Sequence, residues 1–199
     1  MNDITVVIPT IPPRDFQLKQ ALKSVTGQTY KPKDVIVETD TMHAGAAVTR
    51  HAGLMKVKTD WVAFLDDDDI FMPQHLEHLL IHALDTEADY AYSWFYTIPL
   101  GCDPFPSGHY TEPWDPANPR QTTVTTLVKT ALAQQVGFLM PLGANTPDGM
   151  RPGEDWDFTL GCNQLGKISH LVERTWYWRH WGQGTPGNPG NTSGLGTRW

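Results

Sequence analysis

Trp61-Val62-Ala63-Phe64-Leu65-Asp66-Asp67-Asp68-Asp69 is the stretch on which the fold turns. Its first five residues are apolar and mostly bulky, a short run suited to a strand buried on both faces. Four carboxylates follow without a break. Neighbouring like charges roughly 5 Å apart repel by about 3 kcal/mol at an effective dielectric near 20. A chain that stacks them where a buried strand surfaces therefore calls for a cation. In an open α/β sheet, ligands bind just beyond the carboxyl ends of the strands. The run thus predicts a metal or phosphate site at that rim. An Asp could instead cap the helix that follows, with Pro73 near its first turn, but a cap needs only one.

Working outward, the upstream residues Ile4-Thr5-Val6-Val7-Ile8 form a β-branched run ended by Pro9, a first buried strand. Leu18, Ala21, Leu22 and Val25 recur at helical spacing over 14–26, and Gly27 ends that helix. Val35-Ile36-Val37 is a second strand closing on Glu38-Thr39-Asp40, and a weaker helical stripe covers 44–58. Downstream, Leu76, Leu79, Leu80, Ala83 and Leu84 mark a strong amphipathic helix, and residues 90–98 an aromatic-rich strand. Residues 99–120, dense in Pro and Gly, read as an ordered excursion over the sheet. Residues 122–128 are β-prone and 129–136 helical. A helix opens at Gly153-Glu154-Asp155 and stops at Gly166, and short strands are expected at 168–171 and 175–178. This alternation implies right-handed crossovers and an α/β fold, its mainly parallel central sheet carrying helices on both faces.

At 199 residues the chain has room for one domain, taken as 1–181. Residues 182–199 are a Gly/Pro-rich tail whose composition cannot bury a core. A net charge of −7 supplies no basic field for gripping nucleic acid or anionic lipid. Cys102 and Cys162 match no zinc spacing and leave a disulfide between them open. With no leader-like N-terminus and no run of membrane-spanning length, the expected location is cytoplasmic. His75, His78 and His82 share one helical stripe beside the apolar face and are expected on a solvated flank. Gly182-Gln183-Gly184-Thr185-Pro186-Gly187 has the letters of a dinucleotide fingerprint, but Pro186 stands where its helix should start, which rejects it.

Several pieces follow one another in a specific order: Val6-Val7-Ile8-Pro9-Thr10, Ala21-Leu22-Lys23-Ser24-Val25 with Gln28-Thr29-Tyr30, and Val35-Ile36-Val37. After them come Arg50-His51-Ala52-Gly53, Phe64-Leu65 with Asp66 to Asp69, Gly153-Glu154-Asp155-Trp156, and Tyr177-Trp178-Arg179-His180. In that order and spacing the chain resembles the GT-A fold of the family 2 glycosyltransferases, to about Trp181. The resemblance implies an inverting, metal-dependent transfer of sugar from a nucleoside-diphosphate sugar, UDP being the commonest carrier, to an acceptor hydroxyl. It assigns Pro9, Thr10, Glu38, Asp40, Arg50, Asp66 and Asp67 to the donor nucleotide. Asp68, with Asp66 and His180, would hold Mn²⁺ or Mg²⁺ on mainly oxygen ligands. Asp155 would be the general base, with Glu154 beside it. Trp156, Trp178 and Trp181 are the candidate sugar or acceptor contacts, because sugar C–H faces stack on flat rings. The tail 182–199 would fold over the donor as a lid.

The chain departs from the family pattern in places. Glu38-Thr39-Asp40 replaces the usual double Asp, the connection from there to Arg50 is short, and His51 stands where Asn is common. Two other functions compete. A sugar nucleotidyltransferase would want a Gly-rich basic loop after the first strand, where Thr10-Ile11-Pro12-Pro13-Arg14 offers one Arg and no Gly. A nucleotide-sugar-binding module without catalysis would not need Asp155. The acceptor is open among saccharide, lipid-linked sugar, protein side chain and modified nucleobase, with the acidic balance set against nucleic acid.

Overall fold

A computed structural model describes residues 2–12, 14–98, 105, 107–120, 122–138 and 153–179. Strand β1 (Ile4–Thr10) buries every side chain, as its β-branched run requires. Helix α1 (Asp15–Thr26) turns Ala21 and Val25 to the core and ends at Gly27, whose N–H returns to the Lys23 carbonyl. Then come β2 (Asp34–Thr39), α2 (Ala46–Leu54), the wholly buried β3 (Trp61–Phe64) and the two-residue β4 (Ile70–Phe71). The second half carries α3 (His75–Asp85), β5 (Tyr90–Ile98), α4 (Gly108–Thr111), β6 (Thr126–Lys129), α5 (Thr130–Val136), α6 (Glu154–Leu165) and β7 (Ile168–Arg179).

The strands make one sheet in the order β2-β1-β3-β6-β5-β7-β4. β1 is parallel to β2 and β3, β6 is antiparallel to β3 and β5, β7 is parallel to β5, and β4 is antiparallel to β7. Five strands (β1, β2, β3, β5 and β7) therefore run one way, and their carboxyl ends share one rim. This is the mostly parallel sheet that the alternation implied, with β6 inserted against the grain. The two short strands expected near the end are one continuous strand, β7. Its register against β5 shifts between Ser93 and Trp94 and again between Trp94 and Phe95. Val172 and Glu173, both exposed, lie at that irregularity. The sequence reads as two pieces because their alternation is out of phase across the bulge.

An aromatic cluster joins the second half to the first. Phe64 of β3 meets Phe138 and Phe158 edge-on, with centroids 5.1 and 5.7 Å away, and those two rings stack at 4.3 Å. Burial of this kind is worth about 2 kcal/mol or more per ring. It clamps α6 beneath the end of β3, which sets where Glu154 and Asp155 begin.

The histidine stripe corrects the sequence reading. His75 is fully buried, stacks on Phe71 at 4.0 Å, and shares a 2.7 Å hydrogen bond between Nδ1 and the Thr175 hydroxyl. Burial pushes its pKa down to about 3, so it is neutral. His82 bonds the Ser169 hydroxyl and His78 the Glu173 carboxylate. The stripe docks α3 onto β7. Helical periodicity located it beside the apolar face but could not show that a strand would cover it. Cys162 is a free, buried thiol, and Cys102 lies outside the described residues. No described helix is long and apolar enough to cross a membrane.

Gly53 lets α2 approach β1: a Cβ there would stand 2.6 Å from Val7 Cγ1, inside the fully buried core. Gly53→Ala should therefore destabilise by about 1–2 kcal/mol despite the better helix former. Urea denaturation will show a lowered midpoint with an unchanged m-value; an equal or raised midpoint contradicts this packing.

Candidate active site

The acidic run is a tight turn. Leu65 still pairs with β1 through its N–H to the Val7 carbonyl, and Asp69 N–H closes back on the Asp66 carbonyl at 3.1 Å. Within that turn the carboxylates divide. Asp67 faces inward, accepting from the Thr10 hydroxyl at 2.6 Å and from Arg14 Nη1 at 2.7 Å. The same Arg14 nitrogen reaches Asp68 at 3.3 Å. Asp66, Asp68 and Asp69 each offer an oxygen within 4.8 Å of the others. Asp69 is buried and accepts the backbone N–H of Arg179 at 3.0 Å, which ties the end of β7 to the turn.

Arg50, from α2 and only 4% exposed, binds two distant motifs with one guanidinium. Its Nη2 donates to Asp66 and its Nη1 to Glu154, both at 2.7 Å. Asp155 follows on the first turn of α6, partly buried, with one oxygen accepting the Trp156 N–H at 2.8 Å. Six carboxyl groups thus meet around two bonded guanidinium groups, and the protonation states register the excess. Burial, then the charge of Asp66, pushes Asp68 up to about 7 against the pull of Arg14. Burial, then Asp68 and Asp66, holds Asp69 well above the usual carboxylate range. Burial, then Glu154, raises Asp155 to about 6. For Arg50 burial works against the charged form, but Asp66 and Glu154 outweigh it and raise its pKa.

A cleft opens over this cluster, lined by Pro9, Thr10, Ile11, Arg14, Ala46, Arg50 and Asp66 to Asp68. Of the residues expected at the donor nucleotide, Pro9, Thr10, Arg50, Asp66 and Asp67 line it. Glu38 lies elsewhere, in an ion pair with Lys56. Asp40 is buried and accepts N–H groups from Met42, Ala44 and Gly45. Burial opposes its ionisation, but these three bonds prevail and hold its carboxyl below the usual range. Asp40 organises the loop into α2.

Trp156 is 3% exposed, which removes it from direct sugar contact. It follows Glu154 and Asp155 on α6 but points into the protein. Trp178 is partly buried, its ring 5.1 Å from Phe95. His180, Trp181 and the tail 182–199 lie outside the described residues. Sequence reasoning missed Arg14 and Asp69. Arg14 is the one cation between β1 and α1, a legible signal; nothing in four identical residues says which way each will point.

The sequence model of the family described as Glycosyl transferase family 2 matches residues 39–133. An uncharacterized glycosyltransferase of Haemophilus influenzae is 29% identical over 148 residues, which cover 68% of this chain and 46% of that relative. The chain therefore spans less than half the length of that relative. The crystal structure of S. aureus TarS 1–349 superposes with a TM-score of 0.71 at 17% identity, over 89% of this chain and 60% of that one. The same protein in complex with UDP-GlcNAc gives 0.71 at 16% identity, over 90% and 59%. In sequence the chain is thus similar to the family 2 glycosyltransferases over 39–133, and its sheet and helices have the GT-A fold of TarS.

A carboxyl whose folded pKa lies above its unfolded value of about 4 holds its proton more tightly when folded. Its contribution is complete below about pH 4 and fades as pH rises through the folded value, about 7 for Asp68. In chelator-treated protein, Asp68→Asn should gain stability relative to wild type as pH rises from 4 to 8. Paired thermal melts across that range test this, and a pH-independent difference would refute the crowding.

Proposed function

We propose that this chain is the catalytic domain of an inverting, divalent-metal-dependent glycosyltransferase. The donor is a nucleoside-diphosphate sugar, UDP-linked, and the acceptor supplies a hydroxyl. One observation carries the reading: Arg50 bonds Asp66 and Glu154 at once, so a single guanidinium of the cleft wall joins the acidic turn to the acidic start of α6. UDP as the carrier is supported by the complexes that TarS forms with UDP and UDP-GlcNAc.

The residues fit a hard divalent cation. Asp66, Asp68 and Asp69 are an all-oxygen donor set, and burial followed by their mutual repulsion raises Asp68 and Asp69, a crowding that a bound cation would relieve. Bound there, Mn²⁺ or Mg²⁺ would neutralise charge on the diphosphate as it leaves. The chain's own residues do the rest. Pro9, Thr10 and Arg50 bind the donor along the cleft, and Arg14 keeps Asp67 and Asp68 in place. Asp155 takes the proton of the acceptor hydroxyl while that oxygen bonds the anomeric carbon. The bond from that carbon to the diphosphate oxygen breaks on the opposite face, and the nucleoside diphosphate departs with the electron pair. A carboxyl near 6 is ionised at neutral pH yet basic enough to accept that proton, the compromise a general base needs. Glu154 stays engaged by Arg50 and fixes the first turn of α6. A nucleotidyltransferase is disfavoured because Arg14, the cation of its would-be triphosphate loop, is buried against Asp67 and Asp68.

Removing the base should cut donor turnover roughly 100-fold or more. Nucleotide release from UDP-sugars with Mn²⁺, wild type against Asp155→Asn, measures it, and unchanged release would remove Asp155 from that role. A thermal-shift screen of UDP- and GDP-sugars with Mn²⁺ should raise the midpoint with a UDP-sugar, and EDTA should abolish the rise. Equal shifts with and without EDTA would exclude the metal.

A further inference from the structure

Strand β5 is crowded with aromatic residues, and four of the five are buried. Tyr90, Tyr92, Trp94 and Phe95 are at most 4% exposed, whereas Tyr96 is 42% exposed. β6 pairs with β5 only from Tyr90 to Tyr92, so β5 runs on past it towards the rim. On its other side Tyr96 is in register with Tyr177 of β7, and Tyr177 in turn with Ile70 of β4. Cross-strand partners share a face of the sheet. Ile70, Tyr177 and Tyr96 therefore form a row that starts one residue beyond Asp69. At about 4.8 Å between strands, the row extends roughly 10 Å from the acidic turn.

The row has the chemistry of a stacking surface. The Tyr96 and Tyr177 rings lie 5.8 Å apart, inclined by 33°. The Arg174 guanidinium packs 5.5 Å from Tyr96 and 4.3 Å from Tyr110, and donates to the Phe95 carbonyl. This braces the Tyr96 ring from one side. A phenol ring offers an apolar face to C–H groups and a hydroxyl to their polar edges. Beside a turn of four carboxylates, on a chain of net charge −7, a polyanionic occupant would be repelled. A neutral, hydroxyl-rich ring would not.

We propose that this row is the acceptor shelf and that the acceptor is a saccharide, its C–H faces stacked on Tyr96 and Tyr177. The assignment of the shelf to an acceptor rests on the transferase reading above. The probes are chitotriose, cellotriose, maltotriose and mannotriose, measured by saturation-transfer NMR and calorimetry with and without UDP and Mn²⁺. At least one should bind and receive saturation from aromatic protons. Tyr96→Ala should weaken that binding tenfold or more, and Tyr96→Phe should keep it within about threefold, while both variants bind UDP as wild type does. No binding by any of the four, or equal binding by Tyr96→Ala, overturns the shelf. Binding is read here without turnover. Tyr96-dependent saccharide binding in a protein that never releases nucleotide from a donor therefore overturns the transferase reading alone, and turnover without such binding overturns the shelf alone.

Discussion

The Arg50 guanidinium is buried, and a buried cation costs several kcal/mol unless carboxylates meet its donors. Asp66 and Glu154 meet two of them, and Glu154 lies 104 residues further along the chain. The dependence runs both ways. Without Arg50 the acidic turn and the start of α6 would repel each other, and without both acids Arg50 would have no reason to stay inside. Three elements are thereby held in register: α2, the turn after β3, and α6. Whatever binds between them meets a wall whose charges are already fixed in place.

Beneath this charged layer lies an apolar one. Phe64, Phe138 and Phe158 pack ring against ring, and Phe138 also lies under Arg50, 5.9 Å from its guanidinium carbon. The aromatic floor sets the height of α6, and the ion pairs set its rotation. The inner half of the acidic turn is satisfied by Thr10 and Arg14. Asp68 shares Arg14 and Asp69 takes the Arg179 N–H, yet burial beside Asp66 makes both hold protons at pH values where an ordinary aspartate has lost them. A site in that condition binds cations readily because a cation relieves a strain the fold itself created.

Much of this was readable beforehand, and the exceptions share a cause. The buried strands β1 and β3 and the helix α3 carry strong local patterns, and each appeared within a few residues of its expected limits. β7 was read as two strands because the bulge shifts its alternation, and only pairing with β5 shows that the ladder continues. His75 looked like a flank residue because periodicity reports a face of a helix and not what covers it; Thr175 and Phe71 cover it. Trp156 looked like a sugar contact because it adjoins Asp155, yet successive residues on a helix point about 100° apart. Asp155 stays partly exposed while Trp156 turns into the core.

The sequence by itself determined the order of strands and helices, the acidic chemistry at the end of β3 and the start of α6, and the resemblance to the family 2 glycosyltransferases that this order carries. These are properties of short stretches, set by side-chain volume, branching and charge. Only the tertiary structure decided which of four adjacent aspartates turn outward, that Arg14 and Arg50 share out the rest, and that Tyr96 emerges from an otherwise buried strand. Each of those outcomes depends on a partner far away in the chain, and a side chain's direction in a turn or at a strand end is fixed by whichever partner packing brings within reach.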